Sequence, residues 1–162
     1  MRRTTARLPD SVTELCLVRV GIQVRRLSGA WYAWKVSRAV AAEAKEAVEA
    51  AAGLLLSERF VIGPGHFGVL QYWRGFEEME AWTRRAPHSE WWRGAVERMR
   101  AKGDFGIYHE TYLVPRDRVE SIYLNCRPAG LAVFGTAGEP VGAETNGRGR
   151  LKLGPRATGQ GA

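Results

Sequence analysis

The stretch GDFGIYHETYLV, residues 103–114, decides the fold: it reads as a strand, yet it carries a histidine and a glutamate side by side. A strand sends neighbouring side chains to opposite faces. Phe105, Ile107, His109, Thr111 and Leu113 therefore share one face, and Tyr108, Glu110, Tyr112 and Val114 share the other. Each face holds one ionisable group among aromatics and aliphatics, which costs free energy unless that group is paired or hydrogen-bonded. Both faces call for cover, and the rest of the chain has to supply it.

Working outward, ELCLVRVGI (14–22) is β-branched and apolar enough for a first strand. A helical stripe follows: Val36, Val40, Ala44, Ala47, Ala51 and Leu55 recur at three- and four-residue intervals, and Gly53 is placed to help end it. Lys35, Arg38, Lys45, Glu46 and Glu49 lie mainly on the other side. ERFVIG (58–63) and FGVLQYWR (67–74), joined by Pro64-Gly65-His66, read as a hairpin. GFEEMEAWTRR has acids first and bases last, as a helix dipole favours, with Phe76, Met79 and Trp82 as its apolar stripe. Another short helix is expected from Ser89, a candidate N-cap, with Trp92, Val96 and Met99 inward and Gly103 as its stop. ESIYLNC (120–126) reads as a further short strand.

The order strand–helix–strand–strand–helix–strand is the split βαβ of the ferredoxin-like fold, an α+β antiparallel sheet with helices on one face. Strands 67–74 and 105–114 carry large apolar residues on both sides, so the second face needs cover too. A second copy of the sheet would provide it, and a homodimer forming a dimeric α+β barrel is expected. Residues 1–12 are expected to be a flexible N-terminus, 13–134 the folded domain, and 135–162 a disordered, Gly-rich basic tail without periodicity.

The bulk numbers exclude several classes. The 162 residues, 45% hydrophobic and 25% charged, suit one ordinary domain. No apolar run reaches the roughly 18–20 residues of a membrane helix, and MRRTTARLPDSVTE lacks the apolar segment of a secretory signal. Cys16 and Cys126 are too few for a disulfide framework or a zinc site. A cytoplasmic protein with reduced thiols, no metal and no membrane partner is expected. The net charge of +7 comes mostly from arginines spread along the chain and interleaved with glutamates. That is a solvated surface rather than the continuous basic stripe of a nucleic-acid footprint, so no nucleic acid is expected either. No phosphate loop or nucleophile elbow is present.

Three segments, VLQYWRGFEEMEAW (69–82), HSEWWRGAVERM (88–99) and DFGIYHETYLV (104–114), together resemble the monooxygenase-like family of bacterial and fungal secondary metabolism. That family belongs to the dimeric α+β barrel superfamily, with the antibiotic-biosynthesis monooxygenases, the haem-containing aldoxime dehydratases and the chlorite dismutases. The resemblance covers roughly 14–133. In one departure, a tryptophan-rich turn expected after the first strand is shifted, with Trp31 and Trp34 as its candidates.

The resemblance implies a pocket between the sheet and its helices, and a cofactor-independent monooxygenase that deprotonates an aromatic or terpenoid-like substrate for direct reaction with dioxygen. His109, whose ordinary pKa is near neutral, is the first candidate base, with a neutral, hydrogen-bonded core histidine as the alternative. Tyr72 or Tyr112 would donate to the developing anion. Glu110, on the opposite face, suits a pairing with Arg74 or Arg19 across a dimer interface better than catalysis. Trp31, Trp34, Trp73, Trp82, Trp92 and Phe105 are candidate walls for a flat, apolar substrate, though core packing is the default for aromatics. Asn125 and Arg127 are candidates for the rim, and His66 is expected in solvent. No cofactor is implied by this reading. The alternatives are a haem enzyme, with His88 or His109 as proximal ligand, and a non-catalytic dimer that binds a small apolar ligand.

Overall fold

The computed structural model describes residues 1–153 and divides them into two compact units. The expected tail therefore falls partly on residues 154–162, which lie outside the described residues.

The larger unit, Glu14–Leu113, is the ferredoxin-like α+β domain. With β1 at Arg3–Arg7 in the other unit, its elements run β2 (Glu14–Val24), α1 (Leu27–Glu49), β3 (Leu54–Gly63), β4 (His66–Trp73), α2 (Phe76–Thr83), α3 (His88–Lys102) and β5 (Phe105–Pro115). The sheet order is β3-β4-β2-β5, as the split βαβ requires. β4 pairs antiparallel with β2, Val18 opposite Gln71 and Ile22 opposite Phe67, and with β3, Arg59 opposite Val69. That register sends Cys16, Val18, Val20, Ile22, Val69 and Trp73 to one face, where the helices cover them. Arg19, Phe60, Tyr72 and Tyr108 take the other.

Two clusters build the core. Cys16, Val18, Ala44, Ala47, Leu54, Trp73, Met79 and Trp82 form one, and Ile22, Ala33, Val36, Ala95 and Phe105 form the second. Burial pushes the Cys16 thiol up to about 11, with nearby glutamates adding to the effect, so it stays protonated at neutral pH.

The start of α1 has no side-chain cap. Asp104 holds it instead: its carbonyl accepts from the backbone N–H of Arg25 (2.9 Å) and Arg26 (3.1 Å), and its Oδ2 accepts from Ser28 Oγ (2.9 Å) and Arg98 (2.7 Å). Burial pushes the Asp104 carboxyl up, but those side-chain bonds and the Arg98 charge outweigh it and hold the pKa below the usual carboxylate range. Gly29 permits this approach, because a Cβ there would stand 2.3 Å from the Asp104 carbonyl oxygen. At its far end α3 stops at Gly103, in the left-handed conformation (φ 56°), as the sequence suggested.

Several expectations shift. β3 begins at Leu54, so Leu55 belongs to a strand and not to the α1 stripe. α3 starts at His88 with Pro87 at the cap, so Ser89 is inside the helix rather than capping it. Its inward stripe is His88, Trp91, Ala95 and Met99, and Trp92 faces outward, 37% exposed.

The smaller unit comprises Met1–Thr13 and the described residues from Val114 to Leu153. β1 lies between β6 (Tyr123–Leu124) and β7 (Thr136–Gly138), antiparallel to both. Ala6, Leu8 and Val12 are buried, and the Arg116 guanidinium donates to the carbonyls of Leu8, Pro9 and Val12. Residues 1–12, expected to be flexible, are thus largely structured. Part of the expected tail forms β7 and a short helix (Gly147–Arg150), capped by the Asn146 side chain, which accepts from Gly149 N–H. A strand needs its partner to be recognisable, and here the partners are more than a hundred residues apart in sequence.

Candidate functional site

A cavity of about 540 Å3 opens between the first half of α1 and the sheet. Its walls are Val20, Ile22 and Val24 of β2, Phe67 and Val69 of β4, and Leu27, Trp34, Val36 and Val40 of α1, with Ile107 and Trp91 completing them. Arg59 and Val61 of the edge strand β3 stand at its margin. The lining is apolar because α1 turns the small and β-branched members of its stripe, Ala33, Val36 and Val40, toward the sheet. Trp34 lines the cavity, half-exposed, with Trp31 stacked on it at 4.8 Å and the Arg38 guanidinium 5.1 Å from its centroid.

Val20, Val40, Val69 and Trp91 also border a narrow space of about 30 Å3, together with Glu43, Gln71, Trp73, Trp82 and His88. Here a carboxylate and an imidazole join a largely apolar lining. Glu43 is 6% exposed. Its Oε1 accepts from Trp91 Nε1 at 2.6 Å, and its Oε2 lies 2.9 Å from His88 Nδ1. Indole N–H can only donate and a carboxylate can only accept, so the pair assigns the proton of the neutral His88 ring to Nδ1. Nε2 then carries the lone pair. The His88 and Trp91 rings meet edge to face at 4.6 Å. A carboxylate that fixes an imidazole tautomer in a largely apolar space can accept a proton through Nε2 and stabilise the cation that results.

Sequence reasoning had not selected Glu43. The signal was its position: it follows Val36 by seven residues and Val40 by three, and so falls inside the apolar stripe.

The other candidates are scattered. His109 lies on the helix-covered side of β5, but beyond the end of that cover, and solvent reaches it. Surrounding atoms still strip part of its hydration, and this, with the His88 charge second, holds its pKa below the usual histidine range. It does not line the cavity. Trp73, Trp82 and Phe105 are core residues, and the first two also border the narrow space.

Tyr72, Tyr112 and Glu110 lie on the opposite face from His109, Tyr112 half-exposed. Glu110 does pair with Arg19, at 3.0 Å, within the same chain. There Arg19 sits 5.2 Å from both the Phe60 and Tyr108 rings, and its pKa is raised first by the Glu110 hydrogen bond. His66, expected in solvent, lies 3.2 Å from the Tyr108 hydroxyl and is part-buried. Asn125 belongs to the smaller unit, where its side chain accepts from Arg2 N–H.

The donor set also bears on haem. Among the described residues, nothing lining the 540 Å3 cavity is a histidine, cysteine, tyrosine or methionine, so that cavity offers no axial ligand. His88 has the carboxylate partner typical of a metal-ligating imidazole. The two spaces it borders measure about 30 and 10 Å3, no more than the volume share of one water and far too small for a porphyrin. The residues present do not fit haem at either place. No cluster of three or more metal-ligating side chains occurs among the described residues, and no helix there is long and apolar enough to cross a membrane.

Comparison with known proteins agrees with this architecture. The family model for monooxygenase af470-like proteins matches residues 15–131. The crystal structure of an aldoxime dehydratase in complex with butyraldoxime superposes with a TM-score of 0.68 at 17% identity, over 92% of this chain and 42% of that one. A second aldoxime dehydratase structure gives 0.67 at 17% identity, over 94% and 43%. The chain therefore spans about two fifths of those proteins, and at this identity the likeness is one of fold. No curated protein matches it.

Proposed function

Because the chain belongs to the monooxygenase af470-like family, we propose that it is a cofactor-independent oxygenase acting on an apolar, aromatic or terpenoid-like small molecule. One observation carries the reading: an apolar cavity of about 540 Å3 shares four wall residues with the space that holds the buried Glu43 and its partly buried partner His88. The pair takes over the role first considered for His109.

In this mechanism the substrate's apolar body fills the cavity and places an activated methylene toward His88. Nε2 removes a proton, and Glu43 stabilises the imidazolium across Nδ1 while Trp91 holds Glu43 in place. The carbanion then gives its electrons to dioxygen. One oxygen atom becomes the carbonyl oxygen at that carbon and the other leaves as water, so a methylene and dioxygen become a carbonyl and water. A dry cavity protects the anion from reprotonation by bulk water.

The open face of the sheet, with Phe60, Tyr72, Tyr108 and Tyr112, supports a dimer in which a second copy covers it. Light scattering at micromolar concentration would then give twice the chain mass, and a monodisperse monomer would contradict this.

Oxygen uptake tests the function. The purified protein, with polycyclic phenols bearing an activated methylene, should consume oxygen, and His88→Ala should slow turnover by about a hundredfold or more in protein that circular dichroism shows to be folded. A protein that binds such compounds but consumes no oxygen across the panel would instead be a ligand-binding protein.

A further inference from the structure

Charge around the cavity is one-sided. Of the residues that line the 540 Å3 space only Arg59 is charged, and no carboxylate faces it. Ser37, the one hydroxyl in the lining, already donates to the Ala33 carbonyl at 2.8 Å, and the Trp91 N–H is committed to Glu43. On the other side of the mouth Arg38 lies over Trp34, whose ring is part of the wall. Neither Arg59 nor Arg38 enters an ion pair among the described residues, so no carboxylate of this unit already neutralises either guanidinium. Arg59 stands opposite Val69, so it belongs to the cavity side of the edge strand and not to the side where Arg19 meets Glu110.

We propose that the cavity takes an apolar molecule bearing an acidic group, a carboxylate or an acidic phenol, whose charge is held at the mouth by Arg59 on β3, with Arg38 on α1 contributing. This rests on the cavity being the ligand site, as proposed above, and narrows the ligand from apolar compounds in general to apolar acids.

The physical argument is selectivity. A planar guanidinium binds a carboxylate through two parallel hydrogen bonds, and next to apolar walls that pairing is less screened than in open water. A neutral ligand gains the same apolar contacts but leaves both guanidiniums to solvent. The acid is therefore favoured over its own ester, by about tenfold for one partly exposed charge-assisted pair. The guanidiniums also lie at the entrance, where the field of an otherwise cationic protein draws anions in.

The test uses phenylnaphthylamine, an uncharged dye that brightens in apolar sites, as reporter. A naphthylalkanoic acid and its methyl ester then compete for it. The acid should displace the dye at about one tenth of the ester concentration, with the advantage shrinking as salt is raised. In Arg59→Gln the acid should weaken toward the ester, and in the Arg59→Gln, Arg38→Gln double variant the two should be equal. Equal competition in the unaltered protein, or a preference that survives the double variant, would overturn the inference while leaving the cavity reading intact. Failure of the dye to bind, or of both competitors to displace it, would overturn the cavity reading and this inference with it.

Discussion

The two sides of the four-stranded sheet each hold a carboxylate and partner it in opposite ways. On the open side Glu110 meets a permanent cation, Arg19, and both side chains keep about two fifths of their exposure. On the helix-covered side Glu43 is 6% exposed and meets two neutral-capable donors, the His88 imidazole and the Trp91 indole. A solvated ion pair contributes little to stability and changes little with its surroundings. A carboxylate that is buried against a titratable ring is expensive to keep, and it makes the proton on that ring answer to whatever occupies the adjoining cavity. The difference teaches that burial, more than the identity of the residues, separates a surface clasp from a site.

The largest expected effect tests the packing that creates this asymmetry. Trp73 is 1% exposed between the two regions of the helix-covered face, and Trp73→Ala should cost about 3–5 kcal/mol in denaturant unfolding. A loss below about 1 kcal/mol would mean that the covered face is not the core.

Next comes the direct contrast of the two carboxylates. Glu43→Gln places an amide against His88 Nδ1 and should cost about 1–3 kcal/mol as well as slowing oxygen uptake. Glu110→Gln should leave both readouts nearly unchanged. Equal effects from the two substitutions would erase the distinction.

The smallest effect is a pH slope. Folding holds the His109 pKa below its ordinary value of 6.5, so the native state favours the neutral ring. Above that value both states are neutral and His109 contributes nothing. As pH falls below it the unfolded chain takes the proton first, and stability declines until the folded pKa is passed. His109→Gln should make the urea midpoint less sensitive to pH below about 6.5. An unchanged slope would show that the ring is as hydrated folded as unfolded.

Much of the fold was legible because its signals are local. The β-branched, apolar run ELCLVRVGI, the alternation in GDFGIYHETYLV and the three-and-four spacing along α1 each specify one element without help from elsewhere. The failures have physical causes of another kind. RTTAR and TAG are short and polar, and nothing near either one announces the other as its partner. Alternation told which side of β5 holds His109 but not that the helical cover fades after Ile107, since burial along a strand depends on what is stacked above it. A helix beginning at Ser89 with Trp92 and Val96 inward leaves His88 outside it, whereas the true inward stripe is one residue earlier and runs from His88 through Trp91 and Ala95 to Met99. Glu43 sits on the α1 stripe, but a glutamate among alanines and lysines carries the same local signal as a surface residue.

A crystal structure with phenylnaphthylamine bound tests the central claim most directly. The account predicts its rings against Trp34, Ile22 and Phe67, with one end reaching Trp91 beside His88. Density instead on the open face of the sheet, against Tyr108 and Tyr112 around Arg19, would contradict it and move the site to the other side of the sheet.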